Sequence, residues 1–222
     1  MTKAASEASS ASQRAADHLR AAILGGLIGP GQRVHQEVVA RRIGSSRLPV
    51  REALRMLEAE GLLESDPNKG ARVPVLDMRE ADVIYQMRER LEPLALTQSI
   101  PHLTHEDILR LGDLQNLIET NDDVGRFVDL DRQFHLLSYA GCQTEQLSSM
   151  VTRLWNSTQH YRRAFVSLGG PGRMWVVNAE HRLLLDAIER RDTADGERYL
   201  GGHIRRTRVA LDRHPEVFYR AK

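Results

Sequence analysis

The chain has 222 residues, 41% of them hydrophobic and 27% charged, with a formal net charge of +1. This length accommodates one large domain or two small ones with a sizeable core. The single cysteine, Cys142, excludes an internal disulfide and a thiolate metal cluster, and no apolar run is long enough to span a bilayer. We therefore expect a soluble cytoplasmic protein whose small, polar residues 1–11 form no signal peptide and are disordered.

Positive charge is concentrated near the N-terminus. Residues 1–76 carry a net charge of +3, and residues 77–222 carry a net charge of −2. Six arginines lie from Arg33 to Arg55, where the acidic residues are Glu37 and Glu52. A local basic patch on a nearly neutral protein is typical of a nucleic-acid contact confined to one part of the chain.

The first third of the chain predicts three helices followed by a hairpin. A helix at about 12–24 ends at a glycine pair, and a short second helix covers about 36–43. The third helix begins after Ser46, and strands at 62–65 and 71–75 flank a glycine-containing turn. The residues expected to face inward from the first two helices are Ala16, Leu19, Ile23, Val38, Val39 and Ile43. This order of elements is that of a winged helix-turn-helix, whose last helix enters the major groove of DNA.

The third helix has an apolar face and a cationic stripe, both at helical spacing. The apolar face consists of Val50, Ala53, Leu54 and Leu57. The cationic stripe consists of Arg47, Arg51 and Arg55. Ser46 precedes the first turn and can cap it. Guanidinium groups suit phosphate oxygens and the O6/N7 edge of guanine. The helix taken alone is equally compatible with a surface helix whose arginines are solvated.

A PG turn, the sequence SRLPVREAL, the sequence EGLL and a glycine in the hairpin follow one another in this region. With these motifs the region resembles the DNA-binding domain of the GntR family of bacterial transcription regulators. The resemblance implies that Arg47 and Arg51 contact bases or phosphates, that Ser46 contacts a phosphate and that Gly70 lies at the tip of the wing. Some members place an arginine early in the second helix, where this chain has Glu37, so no DNA contact is assigned there.

The remaining two thirds of the chain predict helices throughout. Alternating strand patterns are absent from this part of the sequence, and turns rich in glycine, proline or asparagine separate the helical stretches. The six predicted helices cover about 79–99, 105–119, 124–140, 145–167, 172–190 and 194–213. We therefore predict a mainly α fold, with a winged helix-turn-helix at 12–76 and an all-α antiparallel helical bundle at 77–222.

Four polar side chains lie on inward-facing stripes of the predicted bundle. Asp131 and His135 are four residues apart on one helix, so their side chains point to the same place. His181 and His203 lie on the apolar stripes of two later helices. A buried carboxylate is costly unless it is paired or bound to a metal, whereas a single inward histidine can be an ordinary hydrogen-bonded core residue. One oxygen and three imidazole nitrogens suit zinc, nickel or manganese, and zinc is our first choice.

The sequences DRQFH at 131–135 and EH at 180–181, followed by His203, resemble the motifs of the FCD effector-binding domain. This domain occurs in the FadR-like branch of the GntR family, and RERLE at 88–92 resembles its RxxLE segment. The resemblance covers most of residues 78–211. It implies a metal held by Asp131, His135, His181 and His203 inside an all-helical cavity.

Three further residues are candidates for effector binding. Arg88 lies on an otherwise apolar stripe, where its guanidinium either reaches to solvent or clamps a carboxylate. A divalent metal with open coordination positions attracts a small organic anion, which favours the clamp. Arg162 and Asn178 are weaker candidates for the same cavity.

These features predict a DNA-binding transcription regulator rather than an enzyme. We expect a homodimeric repressor that binds a palindromic operator in double-stranded DNA, has no membrane partner and responds to a small organic carboxylate. Two alternatives stay open. One is a DNA-binding dimer with a purely structural metal. The other is a metal-dependent hydrolase in which the metal activates water, although no inward base is placed by spacing to accept the proton.

Overall fold

The structure is a computed structural model that describes residues 3–66, 70–169 and 174–219. The chain divides into two compact units. The first contains residues up to Leu76 and the segment Trp155–His160, and the second contains Asp77–Leu154 and Tyr161–Phe218. None of the helices described in these ranges combines the length and the apolar character that crossing a membrane requires.

The N-terminal unit is a winged helix-turn-helix. Its elements are α1 (Lys3–Leu24), β1 (Arg33–Val34), α2 (Gln36–Arg42), α3 (Arg47–Ala59), β2 (Glu64–Asp66) and β3 (Gly70–Arg72). β3 is the central strand of an antiparallel sheet, where Arg72 lies opposite Arg33 of β1 and Glu64 of β2. α3 packs on α1 and α2, and the apolar face predicted for α3 lies in the core of the unit.

Three details of the N-terminal unit differ from the sequence prediction. Residues 3–11, predicted to be disordered, belong to α1, because their alanine-rich sequence has a high helix propensity that extends the helix. Val38, predicted to face inward, is 52% exposed, because the short α2 buries only Val39 and Ala40. β1 was not predicted, since two residues are too few to show an alternating pattern. Residues 67–69 of the predicted hairpin turn lie outside the described residues.

The second unit is a bundle of helices. Its elements are α4 (Met78–Ser99), a short 3-10 helix (Ile100–His102), α5 (His105–Glu119), α6 (Val124–Ser138), α7 (Glu145–Gly169), α8 (Met174–Glu189), α9 (Thr193–Leu211) and α10 (Glu216–Tyr219). Capping boxes at Asp77 and Thr104 begin α4 and α5. α4 packs on α9, α5 packs on α6 and α8, and α8 packs on α9. The mainly α fold with these two kinds of unit is confirmed.

The six helices predicted for this region correspond to α4–α9, with ends that differ by at most two residues where the structure describes them. Residues 172 and 173, the predicted start of α8, lie outside the described residues. The 3-10 helix and α10 were not predicted. Both are too short to show helical periodicity, and Pro101 marks a break rather than an element.

Candidate functional site

α3 presents its arginines to solvent. The side chains of Arg47, Arg51 and Arg55 are 70%, 55% and 65% exposed, so the cationic stripe is free of the core. Ser46 occupies the N-cap of α3, but the predicted hydrogen bond from its side chain to the first turn is not formed. The third residue of α3 is Pro49, which has no N–H group to offer such a cap.

The turn between α2 and α3 fixes the direction of the cationic stripe. Gly44 adopts φ of +63° in this turn, a conformation that a side chain would strain. The Nε2 atom of Gln36 donates a 2.5 Å hydrogen bond to the carbonyl of Arg47, which ties α2 to the start of α3. Nη2 of Arg47 lies 2.7 Å from Oε1 of Glu37 in an exposed ion pair. Exposed pairs contribute little to stability, so this pair leaves Arg47 able to bind a phosphate or a base.

The wing carries the last predicted DNA-contact residue. Gly70 is the exposed first residue of β3, with φ of +88°. A side chain at this φ would be strained, so a glycine suits the point where the hairpin returns. The predicted position at the wing tip depends on residues 67–69 and stays a prediction.

Asp131, His135, His181 and His203 form a buried group in the second unit, which we call the histidine–aspartate cluster. Ligand atoms of the three histidines all lie within 4.8 Å of one another, and the ring centroids are 5.1 Å apart in each pair. Oδ1 of Asp131 lies 3.7 Å from Nε2 of His181 and 4.0 Å from Nε2 of His135. Three helices, α6, α8 and α9, therefore bring the four sequence-predicted residues together.

Hydrogen bonds at Nδ1 orient the imidazole rings of His181 and His203. Nδ1 of His181 lies 2.9 Å from Oε1 of Gln115, and Nδ1 of His203 lies 2.6 Å from Oε2 of Glu180. Because a carboxylate or an amide oxygen can only accept, Nδ1 carries the hydrogen in both rings. The Nε2 lone pairs therefore point into the cluster, as they do in histidines that bind metals.

Three inner atoms of the cluster are buried away from solvent. Among the residues that the structure describes, Nε2 of His181, Nε2 of His203 and Oδ1 of Asp131 make no hydrogen bond. Burial lowers the pKa of His135 and of His181 well below the usual range, and the neighbouring imidazoles lower it further. Both rings are therefore neutral at pH 7, with lone pairs available for a cation.

The donor set fits a divalent metal ion. Neighbouring ligands bound at about 2.1 Å to one ion lie about 3.0–3.4 Å apart in octahedral or tetrahedral geometry. Asp131 lies 3.7 Å and 4.0 Å from the two imidazole nitrogens, and the histidine atoms lie within 4.8 Å of one another, so the four side chains would move closer together around an ion. Nitrogen and carboxylate ligands suit zinc, nickel and manganese alike.

Arg162 lies beside the cluster. Its Nη2 atom is 2.5 Å from Oδ2 of Asp131, and both side chains are buried. Glu180 pairs with Arg206 as well as with His203. Although burial raises it, the pKa of Glu180 lies below its usual value because His203 and Arg206 stabilise the carboxylate. Two guanidinium groups therefore lie near the cluster, one paired with Asp131 and the other with Glu180.

A cavity of about 70 Å³ adjoins the cluster through His203 and Arg162. Glu180, Arg206 and Thr207 are its other polar lining residues. The apolar residues that line it are Phe127, Phe165, Val166, Met174, Val176, Val177 and Ala210. On this measure a cavity needs about 10–15 Å³ to hold one water molecule, so the cavity has space for a small ligand.

Two of the predicted effector residues are not part of this lining. Arg88 is buried and pairs with Glu92, so its side chain does not reach to solvent. Asn178 lies behind His181, where its Oδ1 atom is 3.4 Å from Nε2 of Gln115. An effector contact by either residue stays a prediction.

Three residues that lie around the cluster were not predicted as site residues: Gln115, Glu92 and Tyr139. Gln115 follows Leu111 by four residues on the buried face of α5, so a polar residue on an apolar stripe was the available signal. Glu92 belongs to a recognised motif but was given no role. Tyr139 is the C-cap of α6, where helical periodicity no longer predicts direction.

The comparisons with known proteins agree with this architecture. The chain matches the family described as "FCD domain" over residues 83–206 and the family "Bacterial regulatory proteins, gntR family" over residues 11–73. It is 27% identical to the transcriptional repressor GlaR of Escherichia coli (strain K12), covering 82% of this chain and 87% of GlaR.

Two solved structures have a similar fold. E. coli McbR/YncC has a TM-score of 0.78 at 24% identity, with 92% of this chain and 98% of that chain covered. A GntR family member from Pseudomonas syringae pv. tomato str. DC3000 has a TM-score of 0.59 at 32% identity, with 93% and 86% covered. GntR regulators bind DNA operators and effector metabolites, and FCD domains often bind metals.

The GntR family match and the names of GlaR, McbR and the Pseudomonas syringae protein are those of transcription regulators, which confirms the prediction of a regulator rather than an enzyme. The chain belongs to the GntR family of bacterial DNA-binding transcription regulators and carries an FCD domain.

Proposed function

We propose that this regulator is a repressor whose operator affinity depends on a small organic carboxylate bound at a metal site in the helical unit. The observation that carries the proposal is the meeting of three imidazoles and a carboxylate, all buried, beside a cavity with guanidinium groups. A ligand-controlled regulator needs a ligand site separate from its DNA-binding surface. The cluster and its cavity supply such a site.

The histidine–aspartate cluster would hold one divalent ion, with zinc as the first choice and nickel or manganese as alternatives. When bound, the ion supplies a Lewis-acid position for a carboxylate oxygen. The chain's own residues fix the direction of that position. Gln115 and Glu180 orient two of the imidazoles, and Arg162 holds the outer oxygen of Asp131.

The effector would be a small carboxylate with a short apolar body. Arg162 lines the cavity, and a guanidinium binds a carboxylate in a bidentate manner. Because most of the lining is apolar, the hydroxyl groups of a sugar acid would lose their hydrogen bonds there. Contacts to Arg88 or Asn178 would require a ligand that extends beyond the lining.

At the operator, Ser46, Arg47, Arg51 and the wing at Gly70 would contact one half-site. A homodimer would place two α3 helices on the two halves of a palindrome. Repression is the proposed direction because the related GlaR is named a transcriptional repressor. The protein would act in the cytoplasm, where its DNA target is.

Control of operator binding would come from a difference in the carboxylate's affinity for two conformations of the bundle. A carboxylate that binds more tightly to one conformation of the bundle shifts the population toward that conformation and so changes operator affinity. A second candidate is a purely structural metal. It is favoured by the complete burial of Asp131 and His181, which resembles a closed structural site.

A titration of labelled operator tests the proposal. The operator is selected from random-sequence DNA with the wild-type protein, and binding is followed by fluorescence anisotropy. Acetate, propionate, benzoate and gluconate are added to zinc-loaded and to chelator-treated protein, with propionamide as the neutral control. We expect a short carboxylate to change operator affinity by about 5- to 150-fold in the zinc-loaded protein, and propionamide and gluconate to have no effect.

Two variants sharpen the titration. Arg162→Gln removes the guanidinium that lines the cavity and should abolish the carboxylate response, whereas Arg182→Gln removes an exposed one from α8 and should not. If no carboxylate changes operator affinity while chelation unfolds the protein, the metal is structural and the sensing proposal fails.

A further inference from the structure

A chain of buried polar groups leads from α4 to the histidine–aspartate cluster. Nε of Arg88 pairs with Oε1 of Glu92, and the Tyr139 hydroxyl donates a 2.7 Å hydrogen bond to Oε2 of Glu92. The same hydroxyl oxygen lies 3.4 Å from Nδ1 of His135. All four residues are buried, with Glu92 completely inaccessible.

The direction of the hydrogen bonds follows from the number of hydrogens. Tyr139 has one hydroxyl hydrogen, and that hydrogen goes to Glu92. Toward His135 the hydroxyl can therefore only accept, so the hydrogen shared between them belongs to Nδ1 of His135. With Nδ1 protonated and the ring neutral, Nε2 of His135 carries the lone pair, as in the other two histidines.

Glu92 and Arg88 determine which way Tyr139 points. A carboxylate paired with a guanidinium is a strong acceptor and takes the tyrosine hydrogen in preference to an imidazole nitrogen. The 2.7 Å separation between the Tyr139 hydroxyl oxygen and Oε2 of Glu92 fits this hydrogen bond. Although burial lowers it, the pKa of Arg88 is raised above its usual value because Glu92 stabilises the guanidinium charge.

The three histidines differ in what orients them. His181 has the amide oxygen of Gln115 and His203 has the carboxylate of Glu180 as direct acceptors. At His135, Nδ1 instead faces the hydroxyl of Tyr139, whose direction is set by Glu92. A buried ion pair is costly to keep, and apolar residues of similar size are often as stable. The pair of Arg88 and Glu92 therefore points to a role beyond packing.

We infer that Tyr139, backed by Glu92 and Arg88, is a positioning residue that fixes His135 in the tautomer able to bind the metal. This inference rests on the proposed metal site for its purpose, but not for its geometry. It assigns Arg88 the role of a counter-ion to Glu92 rather than that of a direct effector contact. It also means that α4, the helix that follows residue 76, contributes Arg88 and Glu92 to the residues that orient the ligands of the metal site.

The substitution Tyr139→Phe tests the inference, since it removes one hydroxyl and keeps the ring. Long-range proton–nitrogen NMR of histidine-labelled, metal-free protein reports which ring nitrogen carries the hydrogen, with His135 assigned from the loss of its signal in His135→Gln. We expect the Nδ1–H tautomer in the wild type and a shift toward Nε2–H in Tyr139→Phe. Cobalt(II) affinity, followed by its visible absorption, should fall by about tenfold to a hundredfold, as for other orienting partners of metal ligands.

Tyr85→Phe is the matched control. Tyr85 is also buried, and its hydroxyl makes no hydrogen bond among the described residues, so its removal should change neither the His135 tautomer nor cobalt affinity. If the wild-type protein binds no cobalt and Tyr139→Phe still shifts His135 toward the Nε2–H tautomer, the metal proposal fails and the positioning role is supported. An Nε2–H tautomer in the wild type, or an unchanged tautomer in Tyr139→Phe, overturns the inference. If Tyr139→Phe does not fold, the wild-type tautomer alone decides.

Discussion

Replacing His181 and His203 together with alanine is expected to abolish metal binding by the purified protein. Two of the four proposed ligands are lost, and both lie on helices other than that of Asp131 and His135, so the remaining pair cannot close around an ion. Loss of an orienting partner alone costs about tenfold to a hundredfold in metal affinity, and loss of two ligands should cost more than that. The measurement is zinc per chain by mass spectrometry after zinc loading and dialysis.

The control for this experiment removes two imidazoles from the surface of the same unit. His102→Ala with His105→Ala changes two exposed residues and should leave zinc content as in the wild type. Equal zinc content in all three proteins would exclude His181 and His203 from the site. Circular dichroism at the same time separates loss of ligands from loss of fold.

Replacing Arg47 and Arg51 with alanine, singly and together, should weaken operator binding strongly. Each substitution should reduce the binding free energy by about 1–3 kcal/mol if the lost guanidinium makes a bidentate contact to guanine. A contact to phosphate would instead weaken binding to all sequences and make the affinity less dependent on salt. Anisotropy of the selected operator at several salt concentrations distinguishes the two kinds of contact.

Arg110→Ala serves as the charge-matched control, since Arg110 is an exposed residue of α5 in the other unit. It should bind the operator as the wild type does. Wild-type affinity in Arg47→Ala, Arg51→Ala and the double variant would mean that α3 is not the recognition helix. Both side chains are exposed and neither is buried in the protein core, so both are accessible to DNA.

Much of the fold was predictable because each helix of the bundle carries its own start and stop signals. Thr104 and Asp107 form the capping box that begins α5, and the prediction of this helix agrees at both ends. The start of α1 was not predicted correctly. The small, polar residues before residue 12 indicated disorder, whereas the helix propensity of alanine continues the helix to Lys3.

The cluster was predictable in its members but not in its surroundings. Asp131 and His135 are visible as polar residues on an apolar helical stripe, and so are His181 and His203. Their meeting depends on how α6, α8 and α9 pack, which spacing along the chain does not determine. The role of Tyr139 depends on a contact with Glu92, 47 residues away in the sequence, and no local pattern reports such a contact.

The coordination of zinc in the loaded protein tests the central claim most directly. X-ray absorption at the zinc edge should show a first shell of nitrogen and oxygen atoms only, with imidazole nitrogens at about 2.0–2.1 Å and the outer-ring scattering of three histidines. A sulfur neighbour at about 2.3 Å, or scattering from a single imidazole, would place the metal elsewhere. Either result would contradict a metal site built from Asp131, His135, His181 and His203.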